Sequence, residues 1–265
     1  MNSDLKKIID VLKEKTRKTC CSIDIVDGVP GILDNKLGGQ PYLPVGETYP
    51  IDRKHQPMAL LLQVRCADIN LPNYPDTGVL EIFTSTSLEA WPYTCSVKWY
   101  PEGCEYQTEF PEVDCSQGIF RQNVDSGKIG YKISIKHETV YMPLTDYRFD
   151  DLIIEVVRDI TGKEIESSYD LEKVFPDEKN IYEVLFNGLE NGNHLITIGG
   201  YADFTQEDPR PREFKNQDEC LFKLDSCYDL KKINIGDAGI MCVFISEDEI
   251  KIRDFYMSNI SWDCG

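Results

Sequence analysis

Two short stretches decide how this chain is read: "LGGQPYLP", Leu37 to Pro44, and "IGGYADFT", Ile198 to Thr205. Each places a hydrophobic residue before paired glycines, and the pairs Gly38-Gly39 and Gly199-Gly200 lie 161 positions apart. Sliding the chain against itself by that offset, with no gap, matches Gly38–Ser85 to Gly199–Ser246 at 12 of 48 positions. Among the matches are Leu60 with Leu221, Cys66 with Cys227, Asp68 with Asp229, Asn73 with Asn234, Asp76 with Asp237, Gly78 with Gly239 and Phe83 with Phe244. A fixed offset of this kind signals an internal repeat.

Each copy reads as β structure. "MALLLQV" and "GVLEIFT" in the first copy, "ECLFKLD" and "GIMCVFI" in the second, are short apolar runs bounded by turn residues. Before the second run of each copy stands Asp-x-Gly, Asp76 to Gly78 and Asp237 to Gly239. There Asp bonds its own backbone and Gly accepts positive φ, so both read as structural turns. The paired glycines read as a shared bend at Gly38, Gly39, Gly199 and Gly200, because a phosphate loop needs further glycines and a lysine that neither copy supplies.

Helices lie around this plan. Ser3 reads as an N-cap for Leu5, Ile8, Ile9 and Leu12 at helical spacing, a stripe expected to pack on a sheet. "KISIKHETVYMPL" reads as a strand, "DDLIIEVVRDI" as a helix facing inward through Leu152, Ile153, Val156, Val157 and Ile160, and "DEKNIYEVLFNG" as a helix capped by Gly188. From Thr145 to Glu190 there are 13 acids and 5 bases. The expected architecture is therefore a single α+β unit over residues 1–265. It holds two β-rich repeats, mainly antiparallel, about residues 34–128 and 195–265, related by a pseudo-two-fold axis. An N-terminal helix and an acidic helical connector, about residues 129–194, complete it.

Composition narrows the function. A formal charge of −18 opposes attraction to phosphate backbones and anionic membranes, so neither nucleic acid nor membrane is expected as a partner, whereas a basic protein is. The opening "MNSDLKKIIDVLKEK" has no apolar signal region and no later run reaches the length of a membrane span, which points to a cytoplasmic protein. Ten cysteines with no CxxC read as reduced thiols. Cys95, Cys104 and Cys115 are too widely spaced for a regular zinc site, so neither metal nor cofactor is expected.

No catalytic residue is assigned. Asp208, Arg210, Asp237 and Asp263 are the right types for acid–base chemistry, but Asp237 has a counterpart in the other copy and Asp208 precedes a proline in a turn. Cys220, Cys227 and Cys264 are joined to His55, His137 or His194 by no motif, and neither a G-x-S-x-G elbow nor an H-E-x-x-H occurs. Aromatic residues gather at Trp91, Tyr93, Trp99 and Tyr100, and again at Tyr201, Phe204 and Trp262. These clusters leave open a ligand cleft between the copies.

The second copy's "GGYADFTQEDPR", "INIGDAGIMCVFI" and "SWDCG", with "LGGQPYLP" and "LLLQV" in the first, resemble the YwqG-like family of bacterial proteins of unknown function. The resemblance runs from about Leu37 to Gly265. It implies a β-rich cytoplasmic protein with an internal repeat, brings no catalytic residues, and suggests an immunity-like role, since members occur among bacterial toxin and immunity genes. Where the copies differ, the second carries Tyr201, Thr205, Gln206, Asp208, Arg210, Trp262 and Asp263, which are the ligand or partner candidates. Two readings follow: a non-catalytic protein-binding module with an acidic surface, or an enzyme or small-ligand binder using an aromatic and acidic cleft.

Overall fold

A computed structural model of the chain describes residues 2–87, 94–116, 119–120, 129–190, 192, 194–226, 233 and 235–264. Trp91, Tyr93, Cys227, Asp229 and Asn234, all used in the sequence reading, lie outside the described residues. Ten strands form one antiparallel sheet: β1 (Lys18–Ile25), β2 (Lys36–Leu37), β3 (Ala59–Arg65), β4 (Val79–Thr84), β5 (Cys95–Tyr100), β6 (Tyr131–Val140), β7 (Ile196–Gly199), β8 (Glu219–Asp225), β9 (Ile240–Ile245) and β10 (Asn259–Asp263). Their order is β10-β9-β8-β7-β1-β6-β2-β3-β4-β5, and all neighbours are antiparallel. The sheet curls until it nearly closes as a barrel. At the seam the Cys95 thiol, at the start of β5, lies 3.6 Å from the Ser258 carbonyl oxygen, just before β10.

The interior of the curl is filled by side chains from along the sheet, among them Leu62, Val64, Leu80 and Ile82 on one side and Ile198, Phe222, Leu224 and Val243 on the other. The outer faces are buried too. Tyr42, Leu43, Tyr49 and Met58 cover Val79, Phe83 and Tyr100, while Ala202, Phe204 and Phe214 cover Cys220, Cys242 and Phe244. Double-sided burial explains why β3, β4, β8 and β9 read as almost unbroken apolar runs.

The paired glycines launch these two covers. Gly38 and Gly39 have φ of 71° and 80°, and Gly199 and Gly200 have 70° and 81°, a left-handed step in which a side chain is strained. Room is short as well: a Cβ on Gly39 would stand 2.7 Å from the Ile129 carbonyl oxygen, and one on Gly200 2.9 Å from the Cys20 Cβ.

Several expectations need correction. The gapless offset pairs Leu60 with Leu221, yet the ladders run differently. In β3–β4, Leu60 faces Phe83 and Leu61 is the extra residue; in β8–β9, Cys220 faces Phe244 and Leu221 is the extra residue. The extra residues Leu61 and Leu221 thus lie 160 positions apart, while Phe83 and Phe244, which face the residues just before them, lie 161 apart. The strand expected from "KISIKHETVYMPL" does form, as β6, and it pairs with β1 along eight residues at the centre of the sheet.

The helices also differ in detail. In α1 (Ser3–Thr16) the cap is Asn2, whose side chain accepts from the Asp4 amide at 2.8 Å. Its apolar stripe meets Ile153, Val156 and Val157 of α2 (Phe149–Thr161) instead of a sheet face. Gly188 ends the helix Ile181–Gly188 from inside it, where a Cβ would come 2.9 Å from Ile9 Cδ1. Close packing on α1, not a left-handed cap, accounts for that glycine.

Candidate functional site

The seam of the barrel opens outward as a cleft of about 670 Å³. Four segments wall it: Ile51–Arg53 and Met58 from the first cover, Thr94–Ser96 at the head of β5, Gln206–Phe214 in part from the second cover, and Tyr256–Asp263 leading into and along β10. Of the residues singled out from sequence, Gln206, Trp262 and Asp263 line it. The Asp263 carboxylate accepts from the amides of Thr205 and Gln206, both at 2.9 Å, and the Gln206 side chain donates to the Cys264 carbonyl at 2.7 Å. Asp263 thus latches the second cover to β10, and Thr205 belongs to that latch.

Arg210 and Asp208 stand behind the cleft wall in a buried ion cluster. The Arg210 side chain is 1% exposed. Its Nε and Nη2 donate to the two Asp208 oxygens at 3.0 and 2.6 Å, Nη2 also to Asp146 at 2.8 Å, and Nη1 to the Asp218 carbonyl at 3.1 Å. Arg148 grips Asp146 through two further bonds of 2.8 and 2.7 Å. Tyr147, Phe204 and Phe244 surround the guanidinium at 5.1 to 5.8 Å. Burial works against the Arg210 charge, but the two carboxylates outweigh it and hold the group protonated above its ordinary range. Burial likewise opposes the Asp146 charge, yet Arg148 and Arg210 pull its carboxyl below the usual range. Two arginines and two aspartates balance one another, and the cluster ties the turn before α2 to the second cover.

Tyr201 lies elsewhere. Its hydroxyl donates to the Thr16 carbonyl at 2.8 Å, Lys18 sits over its ring at 5.1 Å, and burial pushes its phenol up to about 12. It faces a separate hollow of about 280 Å³ with Asp203 and Lys223. Asp76 and Asp237 are exposed. The two Asp-x-Gly turns are built differently: Gly78 takes φ 99°, whereas in the second turn Gly236 and Ala238 take φ 53° and 55°. Gly239 has its own reason to be small, since a Cβ there would come 2.3 Å from the Asp263 carbonyl oxygen.

Sequence reasoning missed the cleft's exposed apolar rim. Ile51, Tyr256 and Met257 are 52%, 87% and 53% exposed. The usable signal was "DFYMSN", where three apolar or aromatic residues, Phe255 to Met257, stand together just ahead of a strand although only one of them is buried there. It also missed Glu81, a wholly buried carboxyl beneath the first cover. Glu81 Oε1 accepts from the Tyr42 amide at 2.7 Å, shared with Gln63 Oε1, while Oε2 has no partner among the described residues. Burial lifts this carboxyl to about 8, against the pull of the Tyr42 amide and Lys36. Burial likewise brings Lys36 down to about 8.

The polar lining of the cleft includes Asp52, Arg53, Glu213 and Asp263. No histidine lines it, and burial pushes its thiol, Cys95, up to about 12, so that group stays protonated. Among the described residues no cluster of His, Cys, Asp or Glu is arranged to hold a metal ion, every cysteine is a free thiol, and no helix is long and apolar enough to cross a membrane. The molecule is thus a β-rich protein built on a ten-stranded antiparallel sheet that nearly closes, with an open cleft at its seam. It belongs to the family described as a domain of unknown function, DUF1963, whose model matches residues 35–264. No curated protein matches the chain.

Proposed function

We propose that this chain is a non-catalytic, protein-binding module of the cytoplasm, YwqG-like and immunity-like in role, that receives a basic protein partner at the seam cleft. The observation that carries the reading is the make-up of the cleft. Exposed Ile51, Tyr256 and Met257 stand beside Asp52 and Glu213 on the rim, and exposed apolar side chains mixed with charged ones suit a protein contact surface. The net charge of −18 adds long-range attraction for a basic partner. Affinity capture from the host at low and moderate salt tests it. The expected result is a basic protein whose retention drops steeply with salt and is abolished by Asp52→Lys with Glu213→Lys. Capture unaffected by that pair of changes would remove the reading.

A second reading keeps the cleft for a small molecule, because about 670 Å³ falls within the range of ligand sites. It predicts a rise in melting temperature with one metabolite, indifferent to salt.

We also infer that the chain arose by internal duplication about a pseudo-two-fold axis between β1 and β6. The likenesses that support this are the five strands on each side of that line, the extra residues at Leu61 and Leu221, and the matched glycine conformations. An experimental structure in which β2–β5 fails to superpose on β7–β10 would sink it.

A further inference from the structure

We propose that the outer edge of β5 is a strand-addition site that takes one extended, basic peptide segment of a partner protein as an eleventh strand. This deepens the protein-binding reading and rests on it. β5 pairs only with β4, in unbroken register over six residues, with neither a proline nor a bulge. Among the described residues, no backbone hydrogen bond leaves its other edge. Edges of this kind are ordinarily blunted by several charged side chains, lysine above all, by proline or by bulges, because alternate residues present free N–H and C=O groups to any passing strand. Lys98 is the one charged residue in β5.

Beside that edge runs a gap of about 320 Å³, between Cys95–Trp99 and the segment Arg253–Ser258, which shares Cys95, Ser96, Tyr256 and Ser258 with the larger cleft. The two hollows together follow the strand. In the wall common to both, the Ser258 hydroxyl is buried with no partner among the described residues, a polar group that an incoming backbone would satisfy. The walls carry Asp52, Glu213, Asp254 and Asp263 against Arg53, Lys98 and Arg253, the last held over the Trp99 ring at 4.7 Å, so they are close to balanced and it is the chain's net charge of −18 that favours a basic segment. An added strand points alternate side chains to one face, and one set would lie on exposed Tyr256 and Met257.

The test pans a displayed library of random nonapeptides on the full chain, then follows the selected peptides by amide hydrogen exchange. Enrichment of basic peptides with alternating apolar residues is expected, with new protection at residues 95–100. N-methylation of the peptide backbone at alternate positions should weaken binding at least tenfold, with little effect at the positions between. The exposed double change Tyr256→Ser and Met257→Ser should weaken it about tenfold with the fold retained. Binding indifferent to N-methylation at every position would overturn strand addition while leaving a protein-binding cleft. Protection confined to other strands, or protection of β5 by dimerisation without peptide, would overturn it as well. A library with no enriched peptide, alongside successful salt-sensitive capture of a protein partner, would overturn strand addition alone; failure of both would overturn the underlying reading too.

Discussion

Replacing Glu81 by glutamine should change how stability depends on pH, in a direction and amount that follow from its burial. In the unfolded chain this carboxyl titrates near 4.5; beneath Tyr42 it titrates near 8. Below pH 4.5 both states hold the proton and the group contributes nothing to the difference. Between 4.5 and 8 the unfolded chain releases the proton while the folded chain keeps it, so stability falls as pH rises, and the fall is complete above 8. At about 1.36 kcal/mol per pH unit, the loss from pH 5 to pH 8 approaches about 4 kcal/mol.

The variant is uncharged throughout, and its amide oxygen can still accept from the Tyr42 amide. Its nitrogen sits where Oε2 has no partner, a cost of about 1–3 kcal/mol that does not vary with pH. Lys36 acts in the same sense. The Glu81 charge helps hold its folded value up to about 8, so the variant lowers that value further below the ordinary 10.5, which makes stability rise with pH and adds to the expected gain. Urea unfolding of both proteins at pH 5, 6, 7 and 8, in enough salt to screen the charge of −18, reads the effect. Glu81→Gln should gain on the parent steadily as pH rises. A constant difference between the two across that range would refute the reasoning.

Arg210→Ala should cost about 3–5 kcal/mol in urea unfolding, because it leaves the Asp146 and Asp208 carboxylates buried together without their shared cation. Gly39→Ala should lose at least about 1–2 kcal/mol from its left-handed backbone alone, with the contact to Ile129 adding to it, as thermal unfolding would register. Asp263→Ala should leave the global stability largely in place but speed hydrogen exchange at the Thr205 and Gln206 amides, which lose their acceptor. Asp237→Asn, at an exposed turn, should change unfolding by less than about 0.5 kcal/mol.

What the chain announces about its fold is mostly local. The glycine pairs were legible because a left-handed step leaves no other residue a comfortable choice, and the strands because four short apolar runs sit between turn residues. Register was less accessible. A strand alternates faces with a period of two, so a slip of one residue should betray itself by exposing apolar side chains. In β3 and β8 both faces are buried, and the leucines satisfy either register; Leu60 can be matched to Leu221 while the ladder sets it at the place of Cys220. The central pairing of β1 with β6 was invisible for another reason. It joins segments more than a hundred residues apart that carry none of the matched positions.

The site illustrates the same division between local and distant causes. Arg210 after Pro209 is placed for an ordered contact to an acidic group or to backbone carbonyls, but its sequence neighbours do not say which distant acid it meets. Its role depends on Asp146, 64 residues earlier and outside the matched stretches of sequence, and on the aromatic side chains of Tyr147, Phe204 and Phe244 that close over it. Once the guanidinium is committed to two buried carboxylates, it cannot offer its fork to a ligand without leaving a buried charge behind. The candidates that reach the cleft are instead those at the rim and on β10, where the two halves of the chain are least alike. A contact surface assembled from such places is written in no single motif, and Tyr256 and Met257 become informative only when the curl of the sheet brings β5 beside them.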